Sequence, residues 1–473
     1  MIRQKIFQSF WLSVLCLGGL IIAQSTQAQT DTLRLDVDDA IAIALSENPT
    51  VQVADMEIEK KVYEKRKSIG ALLPTIDASA QYNRTLKKQM MYFDGAFGAP
   101  GDTTQASVPE SKTGIPVGRS NNWTAGFTAS LPIIAPALWK TITLSSLDVE
   151  MALESAKGSK IAMVEEVRKA FYAILLAKDS YQVFQQSYDN ADFNYNDIKR
   201  KYEKGLVAEF DLIRADVQKR NIFPNVVQSK NAVTLAELQL KALLGIDLEQ
   251  PIACNGLLSD YQKEMFDELM LSDTSLKENI DLKKLDIQSK QLKETLKMQK
   301  LQYSPTLAAT ALYQWSAMNN DFKFSQYQWN PYSMVGLSLS IPIFTGGSRY
   351  YSAKQTKVSM NQLKLQREDL YRNLSVAIRN YRDNMIKSVE QVQSNQQAVA
   401  QAEKGYLIAE KRYNTGMATL LELNDADLAL TQSRLQYNQS IYDYLVAKAG
   451  LEKTLGKASE TYQQQMEYKG KTK

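Results

Sequence analysis

The sequence predicts an α+β protein that runs through one plan twice: helix, amphipathic β-hairpin, very long helix, sharp reversal, return helix. Three observations predict it. A reversal motif occurs in two copies at a fixed offset. Two pairs of segments alternate polar and apolar residues with period two. A long helical stretch links each such pair to its reversal.

The reversal comes first because internal repeats decide the architecture. One copy reads Arg200-Lys201-Tyr202-Glu203-Lys204-Gly205-Leu206-Val207-Ala208-Glu209-Phe210-Asp211, the other Lys411-Arg412-Tyr413-Asn414-Thr415-Gly416-Met417-Ala418-Thr419-Leu420-Leu421-Glu422. Gly205 and Gly416 lie 211 positions apart (416 − 205), and the same offset relates Asp211 to Glu422, Asp216 to Asp427 and Gly245 to Gly456. Basic residues before each glycine suit a helix C-terminus, the glycine suits a left-handed stop, and acids follow at the next N-terminus.

The chain has 473 residues, 44% of them hydrophobic and 23% charged, values of an ordered protein. Arg3 and Lys5, the apolar run Phe10 to Ala23 and the small residues before a cut after Ala28 form an export signal over 1–28. Leu15 is bulky where a lipoprotein signal ahead of Cys16 needs a small residue. Removing the signal lowers the net charge from +4 to +2, too balanced to point to nucleic acid. It also leaves Cys254 alone, so no intrachain disulfide forms. No later stretch has the ~20 apolar residues of a spanning helix, so an exported chain that crosses a membrane does so with strands.

The first repeat spans 29–246. Val37 to Gly70 is expected as one helix, with acids early and lysines late. The hairpin, 74–134, sets Ile76, Ala78, Ala80 and Tyr82 against Asp77, Ser79, Gln81 and Asn83. Its second strand sets Trp123, Ala125, Phe127, Ala129 and Leu131 against the polar file. Leu131-Pro132 is expected to close it. Its strands are joined by a long loop, Leu86 to Asn121, rich in glycine and proline. Pro132 to Gly205 then gives a helix of roughly 100 Å at ~1.5 Å per residue, which must pack along its length as in a coiled coil. Pro224 is expected to kink the return helix.

A connector follows at 247–272. The second repeat, 273–456, has its hairpin at 305–344, with files Leu307-Ala309-Ala311-Tyr313-Trp315 and Val335-Leu337-Leu339-Ile341, closed by Ile341-Pro342. The tail, 457–473, is polar and expected to fray. Trp123, Trp139, Trp315 and Trp329, with Tyr92, Phe93, Tyr327 and Tyr332, cluster in or beside the hairpins, as a girdle at a lipid interface requires.

This order of elements resembles the TolC family of outer-membrane channels. Its most specific segments are the two reversal copies, Leu421-Glu422-Leu423-Asn424-Asp425-Ala426 and Leu45-Ser46-Glu47-Asn48-Pro49. The resemblance implies a homotrimer in which three chains of four transmembrane β-strands complete a twelve-stranded barrel above a long helical coiled-coil periplasmic barrel. It implies an outer-membrane exit duct, surrounded by lipid and served by a periplasmic adaptor and an inner-membrane pump, that passes drugs, metals or polypeptides. It implies an entrance lined by Glu422 and Asp425, with Tyr413 paired to Asp211. The family's basic latch residue falls at Ala418. Gly205, Leu206, Val207, Gly416 and Met417 form the expected adaptor-docking tips. Thr419 and Glu422 also fit a helix capping box, a structural use for the same acid.

Enzyme readings find no support. The chain has no histidine, no nucleophile elbow, no phosphate loop and no cysteine pair, so no catalytic residue, cofactor or metal is assigned. The alternative is a periplasmic coiled-coil scaffold whose hairpins pack on a soluble core.

Overall fold

The computed structural model describes residues 32–92, 115–263, 265 and 275–457. The export signal, Phe93, the middle of the first hairpin loop, part of the connector and the tail after Lys457 lie outside the described residues.

Strand β1 (Leu33–Leu35) leads into α1 (Val37–Glu47). Asp36 caps α1, its carboxylate accepting from the Asp39 N–H at 2.7 Å. The single helix expected over Val37 to Gly70 is interrupted at Asn48. Pro49 disfavours the helical region for the residue before it, and Asn48 takes φ −65° and ψ 125°. Helix α2 (Pro49–Gly70) restarts on that proline, which lacks an N–H where none is needed.

Strand β2 (Thr75–Arg84), the short β3 (Gln89–Met91) and β4 (Ile115–Val117), and β5 (Asn121–Ile134) precede α3 (Pro136–Glu203), a helix of 68 residues. Helix α4 (Glu209–Leu244) runs on through Pro224. Strand β6 (Ile252–Cys254) pairs in parallel with β1. Then follow α5 (Ile280–Leu301), β7 (Thr306–Asn319), β8 (Asn330–Ser340), α6 (Ser348–Asn414, 67 residues) and α7 (Leu420–Leu455).

These elements form two compact units. Met1–Pro49, Met163–Asp273 and Tyr381–Gly450 make one, and Thr50–Ala162, Thr274–Asn380 and Leu451–Lys473 the other. Each unit draws on both sequence repeats. The first holds most of the large, fully buried side chains, among them Ile41, Phe171, Ile174, Leu175, Leu240, Leu244 and Tyr444. In the second, a small cluster of Ile58, Ala152 and Ala156 joins α2 to α3.

The second unit carries a four-stranded antiparallel sheet in the order β2-β5-β7-β8, and β3 and β4, between β2 and β5 in chain order, pair with each other. Pro132 does not end its hairpin as expected. Strand β5 continues to Ile134, with Pro132 opposite Ala308 and a bulge just after it, the irregular position where a residue without an N–H is tolerated. Strand β8 does stop before Ile341-Pro342.

Candidate functional site: an apolar sheet face and paired reversals

The sheet register aligns the four apolar files. Ile76 opposes Ala129, which opposes Ala311, which opposes Val335. Ala78, Phe127 and Tyr313 form the next row, and Tyr82, Trp123 and Ala317 another. The opposite face carries rows such as Asp77-Thr128 and Gln81-Thr124-Ser316-Asn330. Alternation in each strand thus becomes one continuous apolar surface. Its large residues are uncovered: Ile76 is 72% exposed, Val335 84% and Leu337 71%. A soluble sheet would bury such a face, whereas a membrane strand turns it to lipid. Among the described residues no helix is long and apolar enough to cross a membrane.

The reversals are built alike. In the first, Gly205 N–H bonds the Tyr202 carbonyl at 2.8 Å and Leu206 N–H the Lys201 carbonyl at 2.9 Å. In the second, Gly416 bonds Tyr413 at 3.0 Å and Met417 bonds Arg412 at 2.8 Å. This pair of bonds closes a helix with its glycine left-handed, and φ is 73° at Gly205 and 75° at Gly416. The two reversals also meet. Ile198, Ala215 and Leu420 form one buried cluster, with Tyr195, Val207, Leu212 and Tyr413 packed on it. Residues from both copies of the reversal therefore share a core, while Leu206 and Met417 stay exposed.

The acids named from the sequence differ in circumstance. Glu422 forms an ion pair with Arg412 at 3.7 Å, and its N–H donates to Thr419 Oγ1 at 3.3 Å. The Thr419 hydroxyl also lies 3.4 Å from the Glu422 carboxylate. Glu422 is thus engaged by its own reversal. Asp425, one turn on, is exposed and makes no hydrogen bond or ion pair among the described residues. Tyr413 is half-buried with the Lys201 ammonium 5.5 Å from its ring centre. Burial pushes its phenol up, Lys201 opposes the shift, and Asp197 and Asp211 add to it. No hydrogen bond joins Tyr413 to Asp211 among the described residues. Lys201 instead pairs with Asp197 at 2.7 Å.

A polar junction escaped sequence reasoning. Asp427 on α7 accepts from Ser187 Oγ and, at 2.9 Å, from Asn190 Nδ2, both on α3. Two turns further along α7, Arg434 holds Glu403 of α6 at 2.7 Å and also bonds Gln186 of α3. These groups, with Tyr406, line a cavity of about 270 Å³. Burial drives the Asp427 carboxyl above its ordinary range and the Tyr406 phenol up to about 12. The offset that equates Asp427 with Asp216 gave no hint, because Asp216 lies half-exposed and pairs with Arg220 of its own helix. The remaining thiol, Cys254, is pushed up to about 11 by burial and is no ready nucleophile.

A sheet with a lipid-suited face on long paired helices defines a channel-forming protein of the outer membrane. The chain belongs to the outer membrane efflux protein family, whose model matches residues 40–246 and 271–457. It is 20% identical over 378 residues to outer membrane protein TolC of Vibrio cholerae, covering 78% of this chain and 86% of that protein. It is 22% identical over 375 residues to outer membrane protein TolC of Escherichia coli, covering 77% and 74%. Its fold matches the crystal structure of the Campylobacter jejuni CmeC outer membrane channel with a TM-score of 0.70 at 17% identity, covering 91% and 89%. The protein is an outer-membrane exit duct for efflux or secretion with a large periplasmic part, and the family consists of channel proteins. The periplasmic scaffold reading gives way to this one.

Proposed function

We propose that three copies of this chain close one twelve-stranded barrel and one helical tunnel beneath it. The observation that carries the reading is the four-stranded sheet with an uncovered apolar face and two outer strands, β2 and β8, each paired on one side only. Four strands cannot enclose a pore, and an open edge in lipid leaves several kcal/mol of backbone polarity unsatisfied per group. Symmetry-related copies supply the missing neighbours. The duct receives its cargo from an inner-membrane pump through a periplasmic adaptor that seats on the paired reversals, around Gly205, Leu206, Val207, Gly416 and Met417. Asp425 and Glu422 line its entrance, and Asp211 and Tyr413 brace it. The tested quantity is the mass of the purified protein in mild detergent: a trimer supports the barrel, and a monomer overturns it.

A further inference from the structure

The far end of the sheet carries a second feature. At its near end every strand passes within a few residues into a helix. At its far end the strands are joined by loops 85–120 and 320–329, and the described parts of these loops bind each other. Ser120 N–H donates to Asn320 Oδ1 at 3.0 Å, and Asn121 Nδ2 donates to the Asp321 carbonyl at 2.9 Å. Tyr82 donates to Asn121 Oδ1 at 2.9 Å. Tyr82 stacks on Trp123 with centroids 4.2 Å apart, and Trp123 meets Phe324 edge-on at 4.8 Å. The rim is thus an aromatic layer fixed by hydrogen bonds where the apolar face ends.

Cations crown that layer. Arg84 ends the same file as Ile76, Ala78, Ala80 and Tyr82, so it continues the lipid-facing side of β2. Its guanidinium lies 5.4 Å from the centre of the Phe322 ring. Lys88 donates to Asn320 Oδ1 at 3.1 Å. Arg84, Lys87, Lys88, Arg119 and Lys323 form no ion pair among the described residues. The one acid in the described parts of both loops, Asp321, is spent on the backbone, accepting from Lys323 N–H at 3.2 Å. Aromatic rings favour the boundary between hydrocarbon and headgroup, and long cationic side chains reach past it. Anionic groups at that level complement them. Basic residues near an anionic lipid surface gain ~1 kcal/mol each.

We infer that this rim is a docking surface for the phosphate groups of outer-leaflet lipid headgroups, with Arg84, Arg119 and Lys323 supplying the cations. The inference rests on the barrel reading, which sets the far end of the sheet at the outer leaflet.

The test uses the full protein in phosphatidylcholine nanodiscs doped with bis-phosphorylated lipid A, and native mass spectrometry counts the lipid retained per trimer. The parent retains lipid A and not its dephosphorylated form. Each of Arg84→Gln, Arg119→Gln and Lys323→Gln lowers retention about five-fold, the equivalent of ~1 kcal/mol per charge, and Arg84→Lys restores it. Undiminished retention in the triple variant, or equal retention of the dephosphorylated lipid, overturns the assignment. So does displacement by inorganic phosphate, which marks a bare anion site. Conductance across planar bilayers separates the two readings. Variants that conduct as the parent does but lose lipid A support the rim, whereas a parent that neither inserts nor conducts overturns the barrel, and the rim with it.

Discussion

The Asn48 side-chain amide donates to the Leu243 carbonyl at 2.8 Å, and the second repeat does the same with Asn279 and Thr454 at 2.7 Å. Each carbonyl belongs to the last turn of a return helix, two residues before the glycine that ends it. Each asparagine stands just ahead of its repeat's first long helix. The glycines make room for this closure. A Cβ on Gly245 would meet the Glu47 carbonyl oxygen at 3.0 Å, and one on Gly456 would lie 2.1 Å from that of Glu278. Every repeat is thus tied from its beginning to its end by one amide and one left-handed glycine.

Removing that tie is expected to destabilise. Asn48→Ala or Asn279→Ala removes the amide from a nearly buried site and leaves a carbonyl short of its donor, at a cost of about 1–3 kcal/mol. Gly456→Ala costs more than either, because a left-handed φ of 70° and a backbone clash act together. Gly205→Ala has open space around it and bears only the conformational penalty of ~1 kcal/mol. Thermal melts should place Gly456→Ala lowest, the two asparagine variants between, and Gly205→Ala nearest the parent. A Gly205→Ala variant as unstable as Gly456→Ala would refute the steric argument.

The docking tips behave differently from the ties. Gly416 has nothing within 4 Å of an added Cβ, so Gly416→Val strains only its own turn, by about 1–2 kcal/mol. The trimer and its membrane insertion should survive while export stops. Loss of the trimer in this variant would assign Gly416 to folding and not to docking.

Much of this architecture was legible in the sequence because it is periodic. The four strands, both long helices and both reversals follow from alternation, glycine position and the fixed offset. The interruption at Asn48 was visible in Pro49 but outweighed by the helical pattern around it. The extension of β5 past Pro132 was not legible, since a bulge depends on the neighbouring strand. The shared core of Ile198, Ala215 and Leu420, and the seat of Asp427, come from the contact of helices far apart in the chain. Tyr413 and Asp211 were expected as a pair, yet the side chain over Tyr413 is Lys201. Spacing alone does not say which of two nearby groups a ring faces.

The entrance acids can be ranked by their partners. Glu422 shares its charge with Arg412 and its cap with Thr419, whereas Asp425 has neither kind of partner among the described residues. In the proposed trimer, three copies of Asp425 around the axis would repel one another, and a multivalent cation would relieve the repulsion. Asp425→Asn is therefore expected to weaken block by multivalent cations several-fold in single-channel recordings. Glu422→Gln, which keeps the cap and loses one charge, has the smaller effect. Unchanged block in both variants would move the entrance to other residues of α7.

The Asp427 junction predicts a pH dependence opposite to that of an ordinary surface acid. Ser187 and Asn190 of α3 hold the carboxylate, Tyr406 and Glu410 of α6 border the same cavity, and Arg434 is the nearby cation on α7. Burial outweighs these favourable contacts and raises the folded-state pKa above its ordinary value of 3.8. Between the unfolded and the folded value the native protein holds the proton more tightly, so this group's contribution to stability falls as pH rises through that window. Asn190 still donates to an asparagine oxygen at this position, and Ser187 can accept from its amide. Asp427→Asn therefore keeps the junction and abolishes the titration. The stability difference, variant minus parent, should grow from pH 3.8 upward and level off above the folded-state value, leaving the variant more stable at pH 7. Thermal melts of the detergent-solubilised trimer across that range measure it. A variant less stable than its parent at neutral pH would show that the hydrogen bonds from Ser187 and Asn190 outweigh the burial of the charge, and that Asp427 is held ionised as a clamp between α3 and α7.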